Sequence, residues 1–250
     1  ALCAEVPGRL GSLTPQSIAT TVYGLGLVQH RDAALIEAVG AQMLSRGLGA
    51  FTPQHVANAM YGFARMAASP PGLAEELCAA VPARLADFKP QELSNTIYAL
   101  AVLREGTGAF LGAFCDHASS RLGEFNEQNV SNIVYSLALL DFAHEPLLGG
   151  FADGIAGSLG EFTAQGLANV LYGMGLLGFR HDGLLHALCA HLATTLDGAS
   201  EQNVTVSVHA LGRLGFRHPL FLEAVRRWMR GAGGPPELSS RGVLLLAHGL

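Results

Sequence analysis

A repeat of 37 or 38 residues runs through the chain and limits the folds open to it more than any other feature. Each repeat is marked by a glutamine, and five repeats carry a tyrosine seven residues later. The glutamines are Gln16, Gln54, Gln91, Gln128, Gln165 and Gln202, and the tyrosines are Tyr23, Tyr61, Tyr98, Tyr135 and Tyr172, with His209 in the sixth repeat. Units of this kind bury their apolar faces by stacking on their neighbours, so the sequence predicts a repeat array.

Each unit has the pattern of two helices. A Thr, Asn or Ser precedes the first helix in most units and can accept a hydrogen bond from its free N–H groups, as at Thr14 and Asn126. Apolar residues then recur at helical spacing, and no stretch alternates with a period of two. We therefore predict an all-α fold, an α-α superhelical solenoid of about six complete helical hairpins with partial repeats at both ends.

The repeats leave no room for a linker, so we expect a single α-solenoid domain over residues 1–250. Its repeats should start near residues 15, 53, 90, 127, 164, 201 and 240. The chain begins at Ala1 and ends at Leu250 inside a helical pattern, so we interpret it as a fragment of a longer chain. The apolar runs fall short of the roughly 18 residues that a membrane span needs, so no membrane span is expected.

Charge excludes two classes of protein. Only 14% of the residues are charged and half are apolar, so the chain is not intrinsically disordered. The formal net charge of −5 excludes a globally basic nucleic-acid binder but not a local basic patch. Such a patch is predicted near the C-terminal end, where Arg226, Arg227 and Arg230 lie within five residues. We expect these arginines to contact RNA phosphates, and the alternative is that they face solvent or an acidic partner protein.

Three groups of residues are of types found in metal, cofactor or catalytic sites, but a structural role fits each group better. Cys3, Cys78, Cys115 and Cys189 share one column of the repeat, so they should lie too far apart for disulfides or a metal site. The Gly-X-Gly sequences at 24–26 and 173–175 lie inside predicted helices rather than after a strand, so they should be packing positions. His144, His181 and His218 fall in three different units. We predict no enzyme activity, no cofactor and no metal.

Two polar columns on the first helices are the candidate binding residues. An asparagine recurs four residues after the glutamine, and the residue directly after the glutamine varies from unit to unit. Constant structure with variable polar positions suits a protein that reads exposed bases. The alternative for the asparagines is a structural ladder, in which each amide satisfies backbone groups of the adjacent helix. The residue four positions after the variable one also varies, and the alternative for these variable positions is that they are simply solvated. The candidate readers are His55, Asn58, Glu92, Asn95, Asn129, Asn132, Asn169 and Asn203.

Residues 88–101, in which Pro90-Gln91, Asn95 and Tyr98 occupy the repeat columns, resemble the octotricopeptide and heptatricopeptide repeat proteins of algae and related protists. These families are built of degenerate helical hairpins of 38 or 37 residues. The resemblance covers the six full units and both partial ones. It implies an organellar protein, of mitochondrion or chloroplast, that binds single-stranded RNA of a transcript or ribosome. It also implies a role in RNA maturation, translation or ribosome assembly.

Two functions remain open at this point. The first is a non-catalytic, sequence-selective binder of single-stranded RNA, which would take about one base per repeat. The second is a protein-binding or architectural solenoid, a subunit of a large organellar complex. The repeat type and the variable polar columns favour RNA, whereas the acidic net charge favours the scaffold.

Overall fold

The computed structural model describes residues 7–196, 199–230, 239–240 and 242–244. This part of the chain forms twelve α-helices and contains no strand. The helices are α1 Pro15–Leu27, α2 Ala33–Arg46, α3 Pro53–Arg65, α4 Leu73–Ala80, α5 Pro90–Leu103, α6 Gly108–Ser119, α7 Glu127–Leu139, α8 Glu145–Gly157, α9 Ala164–Leu177, α10 Asp182–Thr195, α11 Glu201–Arg213 and α12 Pro219–Arg230. They form six hairpins of a first, odd-numbered helix and a second, even-numbered helix, so the predicted all-α solenoid is confirmed.

The first helices begin at the residues from which six repeats were expected to start. The expected seventh repeat near 240 and the partial repeat before residue 7 fall mainly outside the described residues, as does Cys3. The chain divides into two compact units, residues 1–125 and 126–250. A single domain over the whole chain therefore stays a prediction.

Within each unit, the first helices pack against first helices of neighbouring repeats, and the second helices pack against second helices. In residues 1–125, α1, α3 and α5 pack in series, and α2, α4 and α6 form a second row. In residues 126–250, α7, α9 and α11 pack in series, and α8, α10 and α12 form the second row. Fully buried apolar side chains such as Phe63, Leu100 and Leu137 hold these rows together.

The first helices begin where side-chain caps satisfy their free N–H groups. The hydroxyl oxygens of Thr14, Thr52, Thr163 and Ser200 and the Asn126 side chain each accept a hydrogen bond from the backbone N–H three residues later. Lys89 cannot act in this way, and instead Glu92 Oε2 accepts from the Lys89 N–H at 2.8 Å. These caps confirm the predicted starts of the first helices.

Small residues let the first helices approach closely, as predicted for the Gly-X-Gly sequences. A Cβ added to Gly26 would lie 2.7 Å from Gly62 Cα, and one added to Gly175 would lie 2.9 Å from Ala210 Cα. Gly62 has the same role in α3, because its added Cβ would lie 2.5 Å from the Val22 carbonyl oxygen. Gly24 differs, because open space surrounds it, and the packing interpretation is wrong at that position.

A column of arginines joins successive repeats in residues 1–125. Arg46, at the end of α2, donates to the carbonyl oxygens of Leu10, Gly11 and Leu13 at 3.1, 2.9 and 2.6 Å. One repeat later, Arg84 donates to the carbonyls of Leu48 and Phe51, and Arg121 then donates to Phe88. Each guanidinium thereby satisfies carbonyls of the turn that precedes a first helix, 33 to 36 residues back along the chain.

The loop histidines cap the second helices. The Nδ1 atoms of His144, His181 and His218 accept hydrogen bonds from the backbone N–H groups of Leu147, Leu184 and Phe221. An unprotonated Nδ1 is needed to accept such a bond. Burial, followed by the neighbouring His186, lowers the pKa of His218 and so favours the unprotonated ring that the cap requires.

Candidate nucleic-acid interface

In each of the two units, the constant polar residues lie on the accessible side of the first helices. The six repeat glutamines are all exposed, and the four asparagines and five tyrosines are half-buried. Positions four and seven residues after the glutamine lie on the same side of a helix as the glutamine itself. Each first helix that carries the full pattern thus presents a neutral Gln–Asn–Tyr face.

The asparagine side-chain amides on this face make no hydrogen bond to other described residues. Among the described residues, the side chains of Asn58, Asn95, Asn132 and Asn169 make no hydrogen bond to the rest of the chain. The structural-ladder alternative required such bonds, so the contacts do not support it. Each amide retains its two N–H donors and its carbonyl acceptor, and it can exchange bound water for a ligand.

The tyrosines form ladders within each unit. The ring centroids of Tyr23 and Tyr61 are 6.0 Å apart, and those of Tyr61 and Tyr98 are also 6.0 Å apart. In the other unit, Tyr135 and Tyr172 lie 6.3 Å apart. All five rings are half-buried, so each packs on a neighbouring ring and still reaches the surface beside the asparagines.

The variable residue after each glutamine occupies the third position of its helix, and several of these residues have a structural task. His55 Nδ1 and Asn129 Oδ1 each accept from the backbone N–H three residues earlier, at 3.4 Å, as Glu92 does. Asn129 is also only 6% exposed. The side chain of Asn203 has no such role, because the contact with Ser200 is made by the backbone N–H of Asn203. The capping contacts of His55, Glu92 and Asn129 would compete with contacts to a base.

The second variable position does not lie on the exposed face. Thr96 is 2% exposed, Ile133 is fully buried and Ser207 is 2% exposed. The hydroxyls of Thr96 and Ser207 donate to the carbonyl oxygens four residues earlier, at 2.7 Å each. Thr96, Ile133 and Ser207 are therefore neither solvated nor accessible to a base, because the closely stacked neighbouring first helix covers this flank of each helix.

Between α7 and α9 the polar face opens into a cleft of about 370 Å³. Its walls carry the constant amides of two neighbouring repeats, together with Phe162 and the backbone of Gly166. The lining residues are Glu127, Gln128, Ser131, Asn132, Phe162, Thr163, Gln165, Gly166 and Asn169.

The predicted phosphate-binding arginines lie elsewhere in residues 126–250. Arg226, Arg227 and Arg230 are exposed on α12, in the row of second helices, and line an open groove with Arg217 and Glu223. Arg227 also donates to the Ala193 carbonyl oxygen at 3.5 Å. The asparagines of the same unit lie on α7 and α9, so the two candidate sites belong to different rows of helices.

Among the described residues, the cysteines belong to no group of side chains that could hold a metal ion. Cys78, Cys115 and Cys189 are free and buried on second helices, and no three metal-ligating side chains converge among the described residues. Burial raises the pKa of the Cys115 and Cys189 thiols to about 12, which keeps both thiols protonated and unreactive at neutral pH. Across the same residues no helix is long and apolar enough to span a membrane.

Sequence reasoning missed two features of this surface. The exposed glutamines defined the repeat but were not among the predicted binding residues. Their recurrence in six helices, without any apolar role, is the signal that could have identified them as candidate ligands. The cleft at Gly166 was also missed, because the sequence does not show which side chains leave space between two helices.

The fold and this surface define a helical-repeat protein whose first helices present uncharged Gln, Asn and Tyr side chains. The chain belongs to the family of the RNA-editing substrate-binding complex 6 protein, whose model matches residues 5–232. No curated protein sequence gives a significant match. The family match does not identify an octotricopeptide repeat protein, and that resemblance stays a prediction.

Proposed function

We propose that this protein is a non-catalytic binder of single-stranded RNA, and that the Gln–Asn–Tyr face of its first helices is the binding surface. One observation carries the proposal: the amides of Asn58, Asn95, Asn132 and Asn169 are accessible and make no hydrogen bond to the rest of the described chain. Amides can bond the exposed edges of unpaired bases, and the adjacent tyrosine rings offer aromatic edges. The family match to a component of an RNA-editing substrate-binding complex supports this role.

The readers are arranged at about one base per repeat in this proposal. The asparagines bond one base in each of the four repeats that carry them. The residues at the third helix position, His55, Glu92, Asn129 and Asn203, adjust which base is preferred. Arg226, Arg227 and Arg230 attract the phosphate backbone without reading sequence. The protein acts in RNA maturation in an organelle, and localisation of a fluorescent fusion of the full-length protein to mitochondria or chloroplasts tests the compartment.

Fluorescence anisotropy with labelled single-stranded RNA tests the binding surface. Changing the four asparagines together to Ala should weaken binding about tenfold or more, because each lost hydrogen bond contributes about 0.5–1.5 kcal/mol and about 1.4 kcal/mol corresponds to tenfold. Gln42→Ala, on a second helix, is the matched control and should bind as the wild type does. Equal affinity of the quadruple variant would exclude this face as the RNA surface.

The acidic net charge favours a second function, an architectural subunit that binds other proteins of the complex. In that case the wild-type chain binds no single-stranded RNA at physiological salt. It instead copurifies with protein subunits after RNase treatment, and the four asparagine substitutions leave that association unchanged.

A further inference from the structure

The cleft between α7 and α9 has the size and lining of a site for one flat, polar ring. At about 370 Å³ it falls within the range of small-molecule pockets. Asn132 and Asn169 project from the two helices, and neither amide bonds another described residue. Gln128 and Gln165, one turn earlier, are exposed on the same two helices.

An aromatic surface is uncovered inside this cleft. In residues 1–125, Phe51 and Phe88 precede the first-helix caps and are each 1% exposed. Phe162 has the same place in its repeat but is half-buried and lines the cleft. Its accessible ring can stack on a base, a contact that tolerates any base because every base has a π face.

Gly166 explains why the cleft is open. The third helix position holds His55 and Glu92 in the repeats of Phe51 and Phe88, and their side chains fold back onto the helix start. At Gly166 an added Cβ would already lie 3.0 Å from Ser131 Oγ and 3.8 Å from Phe162 Cδ1. A longer side chain would therefore occupy the space in front of Phe162.

The cleft also carries a preference among bases. Glu127, the first residue of α7, lines it with a carboxylate that can accept hydrogen bonds. An exocyclic amino group of adenine or cytosine donates to such an acceptor, as cytosine N4 does to Glu or Asp. Uracil has the carbonyl oxygen O4 where cytosine has its amino group, and a carboxylate repels that oxygen. The one donor on this edge of uracil, N3–H, lies between two carbonyl oxygens.

We propose that this cleft binds one unpaired RNA base bearing an exocyclic amino group, stacked on Phe162, bonded by Asn132 and Asn169, and selected against uracil by Glu127. This inference rests on the proposed RNA-binding function and assigns a base site of its own to one pair of repeats.

The substitution Gly166→Asn tests the cleft, because it should reduce RNA binding without unfolding the protein. The new side chain can complete a capping box with Thr163, as Asn129 does with Asn126, and a glycine is lost from a helix. The added cap and the lost glycine oppose the close approach of the new Cβ to Ser131 Oγ and Thr163 Oγ1, at 3.0 and 3.2 Å, so the thermal midpoint should change little. Affinity for a labelled 12-nucleotide oligo(A) or oligo(C) should nevertheless fall at least fivefold because the cleft is filled. Ser17→Asn adds the same cap to α1, whose repeat has Thr20 in the asparagine column and is assigned no base, and should leave both affinities unchanged.

Glu127→Gln tests the base preference. The wild type should bind oligo(A) and oligo(C) at least threefold more tightly than oligo(U), and the variant should bring the three affinities closer together. If Gly166→Asn binds all three oligomers as the wild type does, the cleft is not a base site, although RNA binding through the rest of the face stands. If the wild type binds none of the oligomers, both this inference and the proposed function are overturned.

Discussion

Removing one arginine of the repeat-joining column should destabilise residues 1–125 measurably. Arg46 is half-buried, and its guanidinium donates to three carbonyl oxygens in the segment before α1. Arg46→Met keeps most of the apolar stem, which packs independently of charge, and removes all three hydrogen bonds. The partly buried carbonyl oxygens of Leu10 and Leu13 then lose a charged hydrogen-bond donor. The exposed carbonyl oxygen of Gly11 can accept a hydrogen bond from water instead.

The expected size of the effect follows from these contacts. A hydrogen bond to a charged group contributes about 1.5–3 kcal/mol, and partial exposure places the two inner bonds at the low end of that range. The exposed third bond adds little, so the total loss should be about 2–3 kcal/mol. For a protein of this size that loss corresponds to a thermal midpoint lower by about 5–10 °C.

Thermal melts followed by circular dichroism at 222 nm measure this shift. Arg65→Met is the control, because Arg65 is exposed at the end of α3 and makes no bond to another described residue. Substitutions of that kind usually change stability by no more than about 0.5 kcal/mol. Indistinguishable midpoints for Arg46→Met and Arg65→Met would refute a stabilising role for the arginine–carbonyl bonds.

Three further predictions concern other parts of the molecule. Gly62→Val should lower the stability of residues 1–125 by about 1–3 kcal/mol or more in urea titrations, since its Cβ would collide with the backbone of α1. Burial lowers the pKa of His218, so the folded protein favours the unprotonated ring. The stability that this ring contributes is therefore present above the ordinary histidine pKa and is lost as the pH falls below that value. Urea midpoints at pH 7.5 and pH 5.5 measure the loss. Changing Arg226, Arg227 and Arg230 together to Ala should weaken binding to every RNA and flatten its salt dependence.

Each of these has a matched comparison. Gly24→Ala, at a glycine with open space around it, should not reproduce the loss at Gly62. His218→Asn keeps a capping side chain without a titrating ring, and a pH response equal to that of the wild type would contradict the histidine argument. An unchanged salt slope in the triple arginine variant would exclude that cluster as a phosphate site.

The repeat register made the helix starts and caps predictable, because Thr14 and Asn126 act through neighbours three residues away. Contacts within one turn of a helix are encoded locally. The arginine column was not predicted, since Arg46 bonds carbonyls more than thirty residues back along the chain, and that proximity exists only after the repeats stack. The burial of Thr96 and Ile133 was missed for a related reason, because sequence spacing does not give the distance between neighbouring helices.

The candidate site was predictable in part. The asparagine column could be located from its spacing, but its lack of internal hydrogen bonds required coordinates. The capping roles of His55 and Glu92 depend on side-chain rotamers, which the repeat pattern does not specify. Gly166 was visible in the sequence as one more variable residue, and its consequence depends on Phe162 lying beside it.

The tyrosine spacing sets a mechanical condition on any RNA that follows the first helices. Neighbouring rings are 6.0 to 6.3 Å apart, whereas successive bases in a regular stack rise by only about 3.4 Å. A strand that places one base at each repeat must be drawn out until its bases no longer touch each other. Under the proposed function, an RNA bound in this way is unpaired, and a hairpin would have to lose base pairs before it could follow this face.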